Sequence, residues 1–186
     1  YKAKDTGRNC LRFYDPEMQT SVMERATLEG DLRQAIEQGQ LILHYQPQVR
    51  ADGRIGGAEA LVRWNHRERG MVPPAAFIPL AEETGLIMPL GQWVLNTVCV
   101  ALAEWADQPE MADLTIAVNV SALQFHHPDF VDQIFSTLEK TRANPERLKL
   151  ELTESLLVEN VQEVIERMRA LKARGISFSL DDFGTG

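Results

Sequence analysis

The sequence predicts an α/β fold built on a largely parallel sheet, and three observations carry that expectation. Short aliphatic runs alternate with longer segments of helical period, as repeated strand–helix–strand units require. Glycines and prolines punctuate the boundaries between them. The strand-like runs also place aliphatic side chains on one face and small or oxygen-bearing groups on the other, with the period of two that a strand imposes.

The elements follow in chain order. Residues 1–4 have helical character, residues 6–9 read as a stop and turn, and residues 10–14 as a short strand broken at Asp15-Pro16. This stretch, to about residue 18, has the pattern of the last helix and strand of a preceding unit. A helix is expected from about Ser21 through Leu28, Leu32, Ala35 and Ile36 to a stop at Gly39. It is either a connecting helix or the opening helix of the main domain. The division expected is therefore 1–18 as an upstream tail, 19–27 as a connecting helix and 28–186 as the main domain.

A strand over residues 41–47 and a turn over 50–56 lead into a second strand over 57–64, which the tight turn makes antiparallel to the first. Pro73-Pro74 opens a helix carrying Phe77, Ile78 and Ala81 that ends at Gly85. A longer helix from Pro89 to about Ala106 places Val94, Val98, Ala101, Leu102 and Trp105 on one face. A strand over 115–121 precedes a helix through Phe130, Ile134 and Leu138; a strand over 148–154 precedes a helix through Val161, Val164, Met168 and Leu171, which ends at Gly175. The last strand covers 176–181. Periodicity alone does not separate a closed barrel from an open sheet.

Composition narrows the classes of function. A chain of 186 residues with 44% hydrophobic content is long enough for one sizeable core. No apolar run is expected to reach the length of a membrane span, the N-terminus lacks a signal-peptide pattern, and the two lone cysteines fit a reducing cytoplasmic setting, with membrane anchoring of the full-length protein through upstream segments left open. Cys10 and Cys99 stand far apart, which argues against a disulfide framework or a thiolate zinc site. The net charge of −8 argues against a nucleic-acid polymer as partner. A phosphate-bearing small ligand stays open, because bound divalent cations reverse the local field.

The strand ends carry the chemistry. Ile116, Val118 and Val120 oppose Thr115, Ala117 and Asn119; Leu148, Leu150 and Leu152 oppose Lys149, Glu151 and Thr153; Phe178 and Leu180 oppose Ser177, Ser179 and Asp181. With Glu59 on the second strand and Asp182 beside Asp181, oxygen donors gather at the C-terminal ends, where α/β proteins hold their active sites. Two carboxylates about 4 Å apart repel by roughly 4 kcal/mol at an effective dielectric near 20. Such a cluster calls for cations, and all-oxygen donors favour Mg²⁺ or Mn²⁺ over zinc. One such residue alone is as ready to cap a neighbouring loop as to bind metal, but five at equivalent ends point to a site. His44, His66, His126 and His127 have no metal-like spacing and read as packed or solvated. Glu82-Glu83 reads as a solvent-facing helix end. On the residues alone, Gln46 and Arg63 are equally well a rim glutamine and an ion-paired surface arginine.

Several of these residues form blocks in a known order. Glu59-Ala-Leu61 within residues 58–64 resembles the motif that names the EAL-domain family of cyclic di-GMP phosphodiesterases. The blocks at 77–85, 119–121, 151–154 and 181–186 resemble the others of that family. The resemblance covers residue 28 to the end. Residues 1–9 with Phe13-Tyr14 separately resemble the tail of a GGDEF domain. The resemblance implies a TIM-type barrel with an antiparallel first strand, of which this chain holds about five of the eight strands. It implies hydrolysis of cyclic di-GMP to linear pGpG, with Mg²⁺ or Mn²⁺ as cofactor. Glu59, Asn119, Glu151 and Asp181 match ligands of one metal; Asp182 matches a ligand of a second and helps hold the attacking water. Glu154 matches the anchor of the loop after the fifth strand. Gln46, Leu61 and Arg63 match positions that hold the dinucleotide, Arg63 at a phosphate. A homodimer and an upstream GGDEF-like domain are the implied partners. The family's lysine, general-base glutamate and glutamine on the last three strands are not in this sequence, so the natural protein is expected to continue, and the chain by itself to hydrolyse little. The alternative is a receptor that binds cyclic di-GMP without cleaving it.

Overall fold

The computed structural model describes residues 16–153, 156 and 161–181. The elements expected over residues 1–14, Glu154, Asp182 and the loop 182–186 lie outside the described residues, as does the side chain of Asp181. The described chain runs α1 (Pro16–Gln38), β1 (Leu41–Val49), β2 (Ile55–His66), β3 (Gly70–Val72), α2 (Pro74–Thr84), α3 (Ile87–Ala106), β4 (Thr115–Val120), α4 (Ala122–Phe125), α5 (Phe130–Thr141), β5 (Leu148–Thr153), α6 (Val161–Ala173) and β6 (Ser177–Asp181). A 3₁₀ turn at Pro145–Arg147 leads into β5.

The sheet has the order β1-β2-β4-β5-β6, with β3 added on β2. The first pair is antiparallel, as the tight turn requires, and β2, β4, β5 and β6 run parallel. Since β1 takes one edge of β2 along most of its length, the other edge is shared. Residues 57–60 pair with β4 and residues 64–66 pair with β3. Leu61, Val62 and Arg63 fall in the gap between the two partners.

The sheet is rolled, and one contact demonstrates it. Gln48 on β1 donates to Glu151 on β5 at 3.3 Å, although β2 and β4 stand between those strands. In a flat sheet three strand spacings would separate them by about 14 Å. The registers add an offset along the strands. Gln48 faces Gly57, two residues before Glu59; Glu59 pairs with Ala117, two residues before Asn119, which faces Glu151. Only a curved sheet with tilted strands, as in a barrel, lets these side chains meet.

The outer face of the roll carries the helices. Ile116, Val118, Val120, Leu148, Leu150 and Leu152 are buried there with Val94, Val98 and Leu102 of α3 and Phe130 and Ile134 of α5. Gln92 of α3 donates to Thr137 of α5 at 3.0 Å, tying the two helices together. A second apolar cluster joins Leu32 and Ala35 of α1 to Trp64, Phe77, Leu86 and Leu90. Trp64 and Phe77 meet edge to face, with centroids 5.7 Å apart. Leu180, expected on the aliphatic face, stays 43% exposed because β6 is the last strand of the described sheet.

Several boundaries differ from the sequence expectation for identifiable reasons. α1 starts at Pro16 rather than near Ser21; proline suits a first helical position, whose N–H has no partner in the helix anyway. It is one continuous helix to Gln38, so the expected connecting segment and the opening of the main domain are parts of the same element. α3 starts at Ile87, two residues before Pro89, which falls in the first turn and therefore breaks no bond. That helix is 20 residues long with a mean hydropathy of 1.2, so by length and composition it is apolar enough to cross a membrane, contrary to the sequence reading. Its buried face, through Val94, Val98, Cys99 and Leu102, belongs to the core. β3 was not expected. The turn before it is organised by His66, whose Nδ1 accepts the N–H groups of Glu68 and Arg69, each at 3.1 Å. The other ring nitrogen lies 3.1 Å from Asp31 of α1. His66 is thus a packed histidine, one of the two readings its sequence allowed.

Gly57 is a close-approach glycine. A Cβ there would lie 2.4 Å from both the carbonyl oxygen and Oγ1 of Thr115 on β4. Gly57→Ala should therefore force β2 and β4 apart and destabilise the protein by about 1–3 kcal/mol, read as a lower denaturation midpoint with an unchanged slope.

Candidate functional site

Alternation along β2 puts Glu59, Leu61 and Arg63 on the concave face, while Ala58, Ala60 and Trp64 are buried on the other side. Gln46 stands directly opposite Glu59 across the antiparallel pair, so it shares that face. On β4 Asn119 is exposed to the concavity and flanked by buried Val118 and Val120. Asn119 pairs in register with Glu151 of β5, and Glu151 with Ser179 of β6. Asp181 pairs with Thr153, two residues beyond Ser179.

The described residues bring three of the expected ligands into one row. Asn119 Nδ2 donates to Glu59 Oε1 at 2.7 Å. Glu151 is only 8% exposed, and its Oε1 accepts from Gln48 Nε2 at 3.3 Å and Ser179 Oγ at 3.1 Å. The donors are all neutral. No Lys, Arg or His forms an ion pair with Glu59 or Glu151 among the described residues. A buried carboxylate without a cation is expensive, and among the described residues Glu59, Asn119 and Glu151 each keep an oxygen that accepts no hydrogen bond. This donor set fits a hard divalent cation. Among the described residues no three His, Cys, Asp or Glu side chains converge; the row as described comprises two carboxylates and an amide.

The chain turns sharply after Asn119. Ser121 caps α4: its hydroxyl accepts from the N–H of Gln124, and the Gln124 side chain accepts from the Ser121 N–H. The buried Gln124 amide lies against Gly91 of α3, where a Cβ would come within 1.6 Å of Nε2. Neither α4 nor Gly91 entered the sequence expectation, although the Ser–x–x–Gln spacing of a capping box was present.

Next to the row lies a cavity of about 290 Å³ lined by Leu61, Arg63, Ile78, Glu82, Asn119 and Gln124 among others. It opens where β2 has neither β4 nor β3 as a neighbour. Arg63 has one bond, from Nη1 to the Val62 carbonyl at 2.9 Å, and no acidic partner among the described residues; the surface ion pair that its sequence also allowed is not formed there. Glu82 lines this cavity instead of ending its helix in solvent. Its neighbour Glu83 pairs with Arg25 of α1, and that guanidinium holds the Glu83 carboxyl below its usual range by hydrogen bonding and then by charge.

One family model, that of the EAL domain, matches residues 29–186. The chain belongs to the EAL-domain family. It is 45% identical over 187 residues to the bifunctional diguanylate cyclase/cyclic di-GMP phosphodiesterase MucR of Pseudomonas aeruginosa, covering all of this chain and 27% of that protein. It is 40% identical over 186 residues to the cyclic di-GMP phosphodiesterase PdeR of Escherichia coli, covering all of this chain and 28% of that one. The chain thus spans about a quarter of the length of these curated relatives. The EAL fold here matches the structure of the PaMucR phosphodiesterase in complex with c-di-GMP with a TM-score of 0.82 and 46% identity, covering 86% of this chain and 65% of that one. The rolled sheet is accordingly part of a TIM-type barrel whose first strand is antiparallel.

Replacing the Asn119 amide by a carboxylate would set two acids face to face across the row. Asn119→Asp should lower stability by about 1 kcal/mol in chelator, and added Mg²⁺ or Mn²⁺ should restore it. Paired thermal melts with and without the ions would show this; an ion-independent loss contradicts the cation assignment.

Proposed function

We propose that this EAL domain serves the metal-dependent hydrolysis of cyclic di-GMP to linear pGpG, with Mg²⁺ or Mn²⁺ held by Glu59, Asn119, Glu151 and Asp181 and a second ion by Asp182. The observation that carries the reading is the row of oxygen donors on the concave face, with two carboxylates and no protein cation beside them. MucR and PdeR, by their names, act on the same dinucleotide, and PaMucR was solved with it.

Residues of this chain would divide the work by chemistry. Divalent cations in such a site supply Lewis acidity and an activated water. Glu59 and Glu151 contribute charge from β2 and β5, on either side of β4, and Asn119 on β4 fixes the orientation of Glu59. Arg63 presents a fork of donors to a phosphate, a geometry that lysine does not offer. Leu61 gives the dinucleotide an apolar surface, and Gln46, opposite Glu59, offers both amide donor and acceptor. Glu154, by the family resemblance, would serve as the anchor of the loop after the last strand. An upstream GGDEF-like domain in the same polypeptide goes with this reading, as the bifunctional name of MucR supports. So does pairing with a second copy through the EAL domain.

In the intact protein Glu59→Ala should abolish Mg²⁺- or Mn²⁺-dependent hydrolysis of cyclic di-GMP, followed as release of linear product. Retained turnover would remove the metal assignment. Arg63→Ala should weaken cyclic di-GMP binding by roughly 10–100-fold, the worth of a hydrogen bond to a charged group, with ion binding unchanged. Equal affinity by titration calorimetry would show that Arg63 does not meet the phosphate.

A further inference from the structure

Glu151 is held in an asymmetric way. Both of its hydrogen bonds fall on one oxygen. Gln48 Nε2 and Ser179 Oγ reach Oε1 at 3.3 and 3.1 Å, and Oε2 takes none from the described residues. The two donors come from opposite directions. Ser179 is the in-register neighbour on β6, whereas Gln48 crosses the concavity from β1. The residue opposite it on β2 is Gly57, which has no side chain.

We propose that Gln48 and Ser179 are positioning residues that occupy Oε1 of Glu151, so that the carboxylate meets a cation through Oε2 alone. The proposal rests on the reading of the row as a divalent-cation site. Its consequence is selectivity. Mg²⁺ and Mn²⁺ take compact octahedral shells, with Mg²⁺ bonds of about 2.0–2.1 Å; Ca²⁺ takes more oxygens at about 2.3–2.6 Å and accepts both oxygens of one carboxylate. A Glu151 with one oxygen already engaged by two donors gives the compact ions what they use and withholds from Ca²⁺ the second contact. Hydrogen-bonded partners of metal ligands commonly govern affinity by 10–100-fold. The sequence offered no sign of this role: Gln48 is two residues from Gln46 on the same face, and only the roll of the sheet brings it to Glu151.

The test is the binding of Mn²⁺ and of Ca²⁺ to the intact protein, without nucleotide, by titration calorimetry. Gln48→Met keeps the length of the side chain and removes the donor. It should weaken Mn²⁺ by about 10-fold and leave Ca²⁺ unchanged or tighter, so that the preference for Mn²⁺ falls by that factor. Ser179→Ala should move the preference the same way, and Ser179→Thr, which keeps the hydroxyl, should restore it. The Ser179 pair decides the matter should Gln48→Met fail to fold. An unchanged ratio in Gln48→Met and Ser179→Ala, or an equal loss of both ions, overturns the proposal. A parent protein that binds neither Mg²⁺ nor Mn²⁺ overturns instead the reading of the row as a cation site.

Discussion

A carboxylate that is 8% exposed and bonded only by an amide and a hydroxyl is the constraint around which the described structure is arranged. Glu151 sits in the middle of the sheet, with β4 on one side and β6 on the other. Taking a carboxylate out of water costs several kcal/mol unless charge compensates. The surroundings restrain it by hydrogen bonding without neutralising it. The same holds for Glu59, whose partner is the amide of Asn119. Among the described residues no cation neutralises Glu151 or Glu59, and under the proposed function that compensation would come from the bound divalent cations.

The outer layer makes that arrangement tolerable. Leu148, Leu150 and Leu152, on the opposite face of the strand that carries Glu151, are at most 1% exposed and pack against the helices. At about 25 cal/mol per Å² of apolar surface, each fully buried leucine contributes on the order of 2 kcal/mol. The apolar face of β5 stabilises the strand whose polar face carries Glu151, which no described residue neutralises. Alternation within one strand divides stability from function.

Much of this was legible because strands and helices have short periods. Glu59, Asn119 and Glu151 could be placed on one face from the sequence, since every second residue of β2, β4 and β5 points the same way. The helix stops at Gly39 and Gly85 were legible because both adopt positive φ, which glycine accepts at little cost. What escaped depends on partners distant in sequence or on pieces too short to have a period. β3 is three residues long and is defined by its pairing with β2. Glu82 lines a cavity because α2 packs beside β2, which no local pattern records. Proline was read as a break at Pro16 and as a start at Pro89, whereas it opens one helix and lies inside the first turn of the other. No local pattern marks Gln48, because its partner is 103 residues away and three strands across.

Under the proposed function, the gap on the edge of β2 bears on how fast the anionic ligand is captured. At that gap Arg63 makes one hydrogen bond among the described residues, from its guanidinium to the Val62 carbonyl. An arginine locked to a carboxylate would first have to surrender that ion pair, and the loss would subtract from whatever the newcomer offers. Under the proposed function, a bond to an uncharged carbonyl would give way to bonds with an anionic acceptor, in which both partners carry charge. The strand that exposes its edge to the cavity thereby keeps its guanidinium at low cost in a waiting position, with its reorganisation energy largely removed in advance.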